Sequence, residues 1–426
     1  MPHETPMISD AIQETRMARH IETFSHLSEP GPGVTRLAYT ALEREAHRVF
    51  TTEMSELGLS VHTDAAGNTT AELTPTDIRS RSKAAIGTGS HLDSVPEGGR
   101  FDGIAGVVAA LEIARVVVEK KIPHRRPWRF VAFAAEEGAR FGQACNGSRI
   151  VAGLTSEPDT HTLVDADGVT MAEAMTTVGL DPTHLAQTRW CPEEWYAFIE
   201  LHIEQGSVLE TSGTPVGIVE VISGSTRLLV TIKGEASHTG GTPMHLRRDA
   251  LVTASRCVLA CDQLARDPHR QSTRITVGTL KVHPGSITTI PGKVTFSIDL
   301  RDIDNERQRC TTNELIAEIT QIANRANTPA EISLLGDTPP AVLSAWVTST
   351  AAAAARESAI DYRVLPSGAS HDSQQINHIT PTGMIFVPSH NGVSHAPEEF
   401  TGSHELVVGT RVLLATLMKL DADDEH

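Results

Sequence analysis

Cysteine is scarce in this 426-residue sequence and unpatterned where it occurs. Cys145, Cys191, Cys257, Cys261 and Cys310 are odd in number and form no CxxC pair, which argues against structural disulfides and for a reducing interior. Long apolar runs are missing too. The longest, "GIAGVVAALEIARVVV", is broken by Glu112 and Arg115 and falls short of the roughly 20 residues that a membrane span needs. The opening "MPHETPMISDAIQETRMARHIETF" is polar and mixed in charge, unlike a secretory signal. A cytoplasmic protein is therefore expected. Positive charge is in deficit: 36 Lys and Arg against 53 Asp and Glu give a formal net charge of -17. That argues against nucleic acid, because a phosphate-backbone partner asks for a clustered basic surface. An anionic small substrate would need an arginine of its own, since the overall field repels it. No GxGxxG or P-loop pattern follows an apolar run, so a nucleotide or redox enzyme has no support.

What the chain does have is strands that end in polar clusters. "AAIGTGS", "WRFVAFAA", "AFIELHI" and "GMIFVPS" read as buried strands, each followed within a few residues by histidines or carboxylates. After the first, "DGIAGVVAALEIARVVVEKK" has helical spacing, with Asp102 near its start and lysines at its end, as the helix dipole favours. After the second, "GARFGQACNGSRIVAGL" is expected to begin another helix. Strand, turn and helix in series imply an α/β fold, a mixed sheet flanked by helices, whose sites lie beyond the carboxyl ends of the strands. Residues 213–328 change character. There, alternating segments such as "GKVTFSIDLRD" accompany helix-like stretches such as "RRDALVTASRCVLACDQLAR", as in a separate α+β unit. The expected organisation is a discontinuous α/β domain of residues 1–212 and 329–426, with the α+β domain of residues 213–328 inserted.

The polar clusters carry chemistry that a packed core does not need. Residues i and i+2 of a strand face the same way, so His91 can bind a metal while Asp93 accepts the imidazole N–H that faces away from it. Asp102 reads either as a helix N-cap or as a carboxylate able to bridge two ions, and a cap leaves His91 and Asp93 unexplained. Glu136 and Glu137 are adjacent carboxylates at the end of an apolar strand, where their mutual repulsion calls for something positive nearby. In hydrolysis, one carboxylate commonly binds the metal while the other takes a proton from water; the competing reading is a solvated pair at a helix start. His202 and Glu204 repeat the i, i+2 spacing, and His395 follows the fourth strand. His91, Asp102, Glu137, His202 and His395 thus make an N/O ligand set without cysteine, suited to Zn²⁺, Mn²⁺, Co²⁺ or Ni²⁺.

Taken in order, the motifs "GSHLDSVPEGGRFDG", "AAEEGARFG", "LHIEQG", "LRRDAL", "SGASHD" and "SHAPEEFT" resemble those of the M20 peptidase superfamily, in its hydantoinase/carbamoylase branch. That branch includes N-carbamoyl-L-amino-acid hydrolases and allantoate amidohydrolases. The resemblance implies a metallopeptidase-like catalytic domain with two divalent ions and an inserted lid that dimerises. It makes His91, Asp102 and His202 ligands of one ion, and Asp102, Glu137 and His395 ligands of the other, with Asp102 as the bridge. Glu136 matches the general base and Asp93 the carboxylate that orients His91. His238 matches a histidine that acts in the partner subunit's site of a homodimer, and Gln205, Arg301 and His371 match substrate contacts. Thr288, where relatives have Asn, and Ser370, where they have Gly, depart from the pattern at the substrate. The implied reaction is hydrolysis of a linear amide or ureido group. An N-carbamoyl-L-amino acid, giving ammonia, carbon dioxide and the amino acid, leads; an allantoate-type ureido substrate or an aminoacylase or dipeptidase reaction competes. A non-catalytic metal or amino-acid binding protein on the same scaffold is the alternative of a different class, and an intact Glu136 argues against it.

Overall fold

The computed structural model describes residues 11–75 and 83–423, so the first ten residues of the opening stretch lie outside it. Four strands that the sequence marks out form the middle of a mixed sheet: β1 (Ala85–His91), β2 (Trp128–Phe133), β3 (Trp195–Ile203) and β4 (Thr382–Val387). They lie side by side in the order β2, β1, β3, β4, all parallel. Every residue of β1, β3 and β4 is buried, the continuous pattern of strands covered on both faces rather than the alternation of a half-exposed sheet. Outside this quartet, Thr69–Leu73 and Val216–Ile222 pair antiparallel with β2 and β4.

Helix α1 (Ile104–Glu119) packs on β1 and β3. Ile104, Val107, Val108, Leu111, Ile113 and Val117 are each at most 3% exposed, and full burial of such side chains contributes about 1.5–3 kcal/mol apiece. The helix comes so close that a Cβ on Gly106 would lie 2.3 Å from the Leu201 carbonyl oxygen. Helix α2 (Ser403–Ala422) covers β3 and β4. The strands also end level: His91 pairs with Phe133, and His202 with Phe386. Parallel strands that end together deliver their next residues to one edge of the sheet, where sites of such sheets form.

The chain divides into two compact units, residues 1–220 with 342–426, and residues 221–341. Sequence patterning set the change at 213 and 328 instead. The difference arises because alternating strands occur on both sides: Val216–Ile222 pairs with β4, while Ala330–Thr338 pairs with Gly224–Lys233. In the second unit these last two strands and Lys293–Asp302 form an antiparallel sheet. Val294, Phe296, Ile298 and Leu300 alternate inward against the helices Ala250–Ala265 and Asn305–Arg325. Cys257 and Cys261 sit in that core, where burial pushes their thiols up to about 11 and about 12; all five cysteines are free.

One local expectation fails. The helix anticipated over 138–154 is confined to Asn146–Val151, because Gly142 and Cys145 adopt positive φ (75° and 59°) and turn the preceding segment. Among the described residues, no helix is long and apolar enough to cross a membrane.

Candidate active site

The polar residues that follow the four strands converge. His91 closes β1, and its Nε2 lies 3.4 Å from Oδ1 of Asp102; Nε2 of His202, on β3, lies 3.1 Å from the same oxygen. The other oxygen, Oδ2, faces His395 Nε2 at 3.2 Å, and His395 in turn faces Glu137 Oε1 at 3.4 Å. Two triads result, His91–Asp102–His202 and Asp102–Glu137–His395, each with its ligand atoms close enough to hold one ion, and Asp102 belongs to both. The cap reading of Asp102 does not hold: the N-cap of α1 is Gly103, and no side chain caps it. His91, Asp102, Glu137 and His202 are at most 8% exposed, while the His395 side chain is 51% exposed and gives the site its opening.

Glycine at 103 is required twice over. Its φ is +66°, and a Cβ there would sit 2.5 Å from the His91 ring. Gly103→Ala is therefore expected to destabilise the protein by at least the about 1–3 kcal/mol that a sparsely populated backbone conformation costs and to displace His91. A lowered thermal midpoint together with weaker metal binding would check it, and unchanged binding would contradict it.

The donors suit a cation. His202 Nδ1 donates to the Ile203 carbonyl at 2.9 Å, and the Gly103 amide points at Nε2. The Nε2 lone pair and Asp102 Oδ1 therefore converge as two acceptors, an arrangement that only a proton or a cation relieves. Burial, followed by the charges of Asp102 and Glu136, pushes Glu137 well above the usual carboxylate range. Against burial, hydrogen bonds to His202, His395 and His91 hold Asp102 well below it. The Asp102 hydrogen bond raises His395 to about 9. A divalent ion among these groups reverses the penalty of crowding carboxylates.

Glu136 stands beside the triads with Oε2 3.9 Å from His91 Nε2 and Oε1 accepting from the Cys145 thiol at 3.0 Å. Asp93 is fully buried, but its role is broader than the one expected. Its two oxygens accept the amides of Glu136 and Glu137, both at 2.9 Å, and so fix the turn that carries both carboxylates. Its distance to His91 Nδ1 is 3.5 Å, whereas its own carbonyl lies 3.2 Å from that nitrogen.

The expected substrate contacts are less gathered. Gln205 Nε2 donates to Asp102 Oδ2 at 2.7 Å, and its Oε1 is buried without a partner. His371 is 2% exposed, stacks edge-on against His202 with 4.5 Å between ring centres, and bonds Ser367 Oγ at 2.8 Å; Ser370 is partly buried beside it. His238, Thr288 and Arg301 belong to the second unit. His238 is exposed, and its Nδ1 accepts the amides of Gly240 and Gly241 at 3.0 Å each, which leaves the ring proton on Nε2. The carbonyl of Thr288 accepts the Thr239 amide at 3.1 Å and so braces the His238 turn. Arg301 meets Asp299 through two nitrogens at 3.0 and 3.3 Å. It lines a cavity of about 540 Å³ with Arg227 and Arg274.

Glu43 and Glu200 escaped sequence reasoning, and Glu204, read there only by its spacing from His202, has a local role. Glu43 is fully buried and accepts the amides of Tyr39 at 2.5 Å and Ala135 at 2.8 Å, and burial, then Asp93, pushes it up to about 8. Its TxxE setting reads as an ordinary capping box. Glu200 takes Ser90, at 2.7 Å, on one oxygen and Ser373 on the other. Glu204 is a helix cap, accepting the amides of Val208 and Leu209. Ala135, Cys145, Gln205 and His395 all have positive φ between 55° and 59°, strain of the kind that concentrates at functional sites.

A parallel-sheet edge carrying two histidine–carboxylate triads and a neighbouring glutamate has the donor set that a metallohydrolase uses. The family model of peptidase family M20/M25/M40 matches residues 87–419, and the chain belongs to that family of metal-dependent enzymes. The N-carbamoyl-L-amino-acid amidohydrolase of Paenarthrobacter aurescens is 40% identical over 415 residues, spanning 97% of this chain and all (100%) of the relative. The allantoate amidohydrolase of Escherichia coli (strain K12) is 34% identical over 396 residues, spanning 92% of this chain and 94% of the relative. A crystal structure of an amidase of the hydantoinase/carbamoylase family from Burkholderia multivorans matches with a TM-score of 0.86 at 30% identity, over 97% of this chain and 98% of that one.

Proposed function

We propose that the chain hydrolyses linear amide or ureido C–N bonds of small molecules, with an N-carbamoyl-L-amino acid as its substrate. The observation that carries this is the pair of triads sharing Asp102, with Glu136 alongside. His91, Asp102 and His202 would hold one divalent ion, and Asp102, Glu137 and His395 a second; Zn²⁺, Mn²⁺, Co²⁺ and Ni²⁺ all suit these donors. Bound there, the ions lower the pKa of water and polarise the scissile carbonyl.

The chain's own groups do the rest. Glu136 Oε2 takes the proton from the attacking water and returns it to the departing nitrogen, while Cys145 and the Asp93-held turn keep the carboxylate aimed. His238, with its proton on Nε2, donates to the developing oxyanion; in this reading it serves the site of the other copy in a homodimer. Arg301 takes the substrate carboxylate. Three arginines against one aspartate around its cavity supply local positive charge in a chain of acidic balance. Gln205, Thr288, Ser370 and His371 shape the substrate side. Free cysteines suit work in the cytoplasm. For an N-carbamoyl amino acid, one water is consumed, and carbon dioxide, ammonia and the free amino acid leave.

An allantoate-type ureido substrate is the second reading, because the 34% identical relative carries that name. Incubating the metal-loaded protein with N-carbamoyl-L-amino acids, allantoate, N-acyl amino acids and dipeptides, while following ammonia, decides between them. Ammonia from N-carbamoyl amino acids at a kcat/KM at least about tenfold above that for allantoate is expected, a margin of roughly 1.4 kcal/mol. Ammonia from allantoate alone turns the assignment to the second reading. Acyl release without ammonia overturns both.

A further inference from the structure

Asp102 is held from both ends by a closed ring of hydrogen bonds. Glu399, 3% exposed, accepts the backbone amides of Phe101 and Asp102 on Oε1 at 2.9 and 3.0 Å. Its Oε2 accepts the Ser394 hydroxyl at 2.7 Å. Ser394 Oγ accepts Gln205 Nε2 at 3.2 Å, and that same nitrogen donates to Asp102 Oδ2 at 2.7 Å. The circuit runs from the amide of Asp102 through Glu399, Ser394 and Gln205 back to its carboxylate. It joins the segment between β1 and α1, the second residue after β3 and the loop after β4. No space is left beside Glu399: a Cβ on Gly99 would lie 2.0 Å from its Oε1.

We propose that Glu399 is a positioning residue that fixes the place and plane of the Asp102 carboxylate, so that one oxygen faces each triad, and so holds the His395 half of the site ready before an ion arrives. The inference rests on the metallohydrolase reading above. Partial rotation of the Asp102 carboxylate would turn Oδ1 away from His91 and His202 and Oδ2 away from His395. Gln205 opposes that rotation at the carboxylate, and Glu399 opposes displacement of the main chain beneath it. Glu399 is also four residues from His395, so one carboxylate ties the loop of one ligand to the backbone of another. The two triads are not equally dependent on it. His91 and His202 lie on strands β1 and β3, whereas His395 stands on a loop with a φ of 56° and a half-exposed side chain. Groups that orient ligands typically contribute about 10–100-fold to metal affinity, and the cost should fall on the His395 triad.

The test is calorimetric titration of the chelator-treated protein with Zn²⁺, set beside circular dichroism and steady-state kinetics. The wild type is expected to take two Zn²⁺ per chain. Glu399→Ala is expected to take one with near-normal affinity and the second about 10–100-fold more weakly, with kcat recovering as Zn²⁺ is raised. Ser394→Ala, which opens the ring but spares the amide clamp, should weaken the second ion by a smaller factor. Glu399→Gln, which keeps one accepting oxygen for the two amides, should lie between, and both variants serve if Glu399→Ala does not fold. A merely structural role would lower the thermal midpoint while leaving two Zn²⁺ of wild-type affinity, and that result overturns the proposal. If the wild type itself takes no Zn²⁺, the metallohydrolase reading fails and the proposal fails with it.

Discussion

Glu136→Gln is expected to lower kcat by about 10²–10⁴-fold, the range associated with a positioned general base, while metal content stays near that of the wild type. The substitution keeps the shape of the side chain. Gln can still accept from the Cys145 thiol, and the amides of residues 136 and 137 remain on Asp93, so the turn should not move. What disappears is the ability to take and return a proton next to His91. Ammonia release and elemental analysis of the same samples separate the two effects. Full turnover in the variant would remove Glu136 from the mechanism. A loss of metal in parallel with activity would mean that the residue belongs to the ligand set. A binding protein on this scaffold would show no turnover in the wild type either, so the comparison also excludes that class.

Asp102→Ala should be more severe for binding, because both triads lose a member at once. Removing a group that merely supports a ligand costs up to about 100-fold in metal affinity, so the loss of a shared ligand should exceed that. Three histidines and Glu137 would then face a space with no common anion. The expected result is a purified variant with neither ion bound and no measurable activity, matching chelator-treated wild type; circular dichroism should remain native, since Asp102 does not cap α1. A variant that keeps two ions would disprove the shared role of Asp102.

Much of this was readable in the chain because the signal was local. Each of the four buried strands is a run of apolar residues followed by a histidine or carboxylate, and the structure sets those strands side by side in parallel. The N/O character of the ligand set needed only residue types. Other features were not local. Whether Asp102 is a cap or a bridge depends on His395, 293 positions away, and no spacing rule reaches that far. Glu399 looks like one of two adjacent glutamates in a loop, and only the folded chain brings it to the amide of Asp102. Cys145 reads as a small buried residue, yet its positive φ ends the segment where a longer helix was expected. Val216–Ile222 misplaced a boundary because alternation identifies a strand but not the sheet it joins.

The level carboxyl ends of β1, β3 and β4 also bear on how the protein reaches its active form. Asp102 meets its partners only after contributions from around residues 91, 137, 202 and 395 have all arrived, and contacts so distant in sequence are slow to close. The site therefore exists only in the completed sheet. An ion that binds there favours the native state over every partly folded one. The same four strand ends that hold the chemistry thus make the ion a clasp on the fold, drawing together segments that chain connectivity leaves nearly three hundred residues apart.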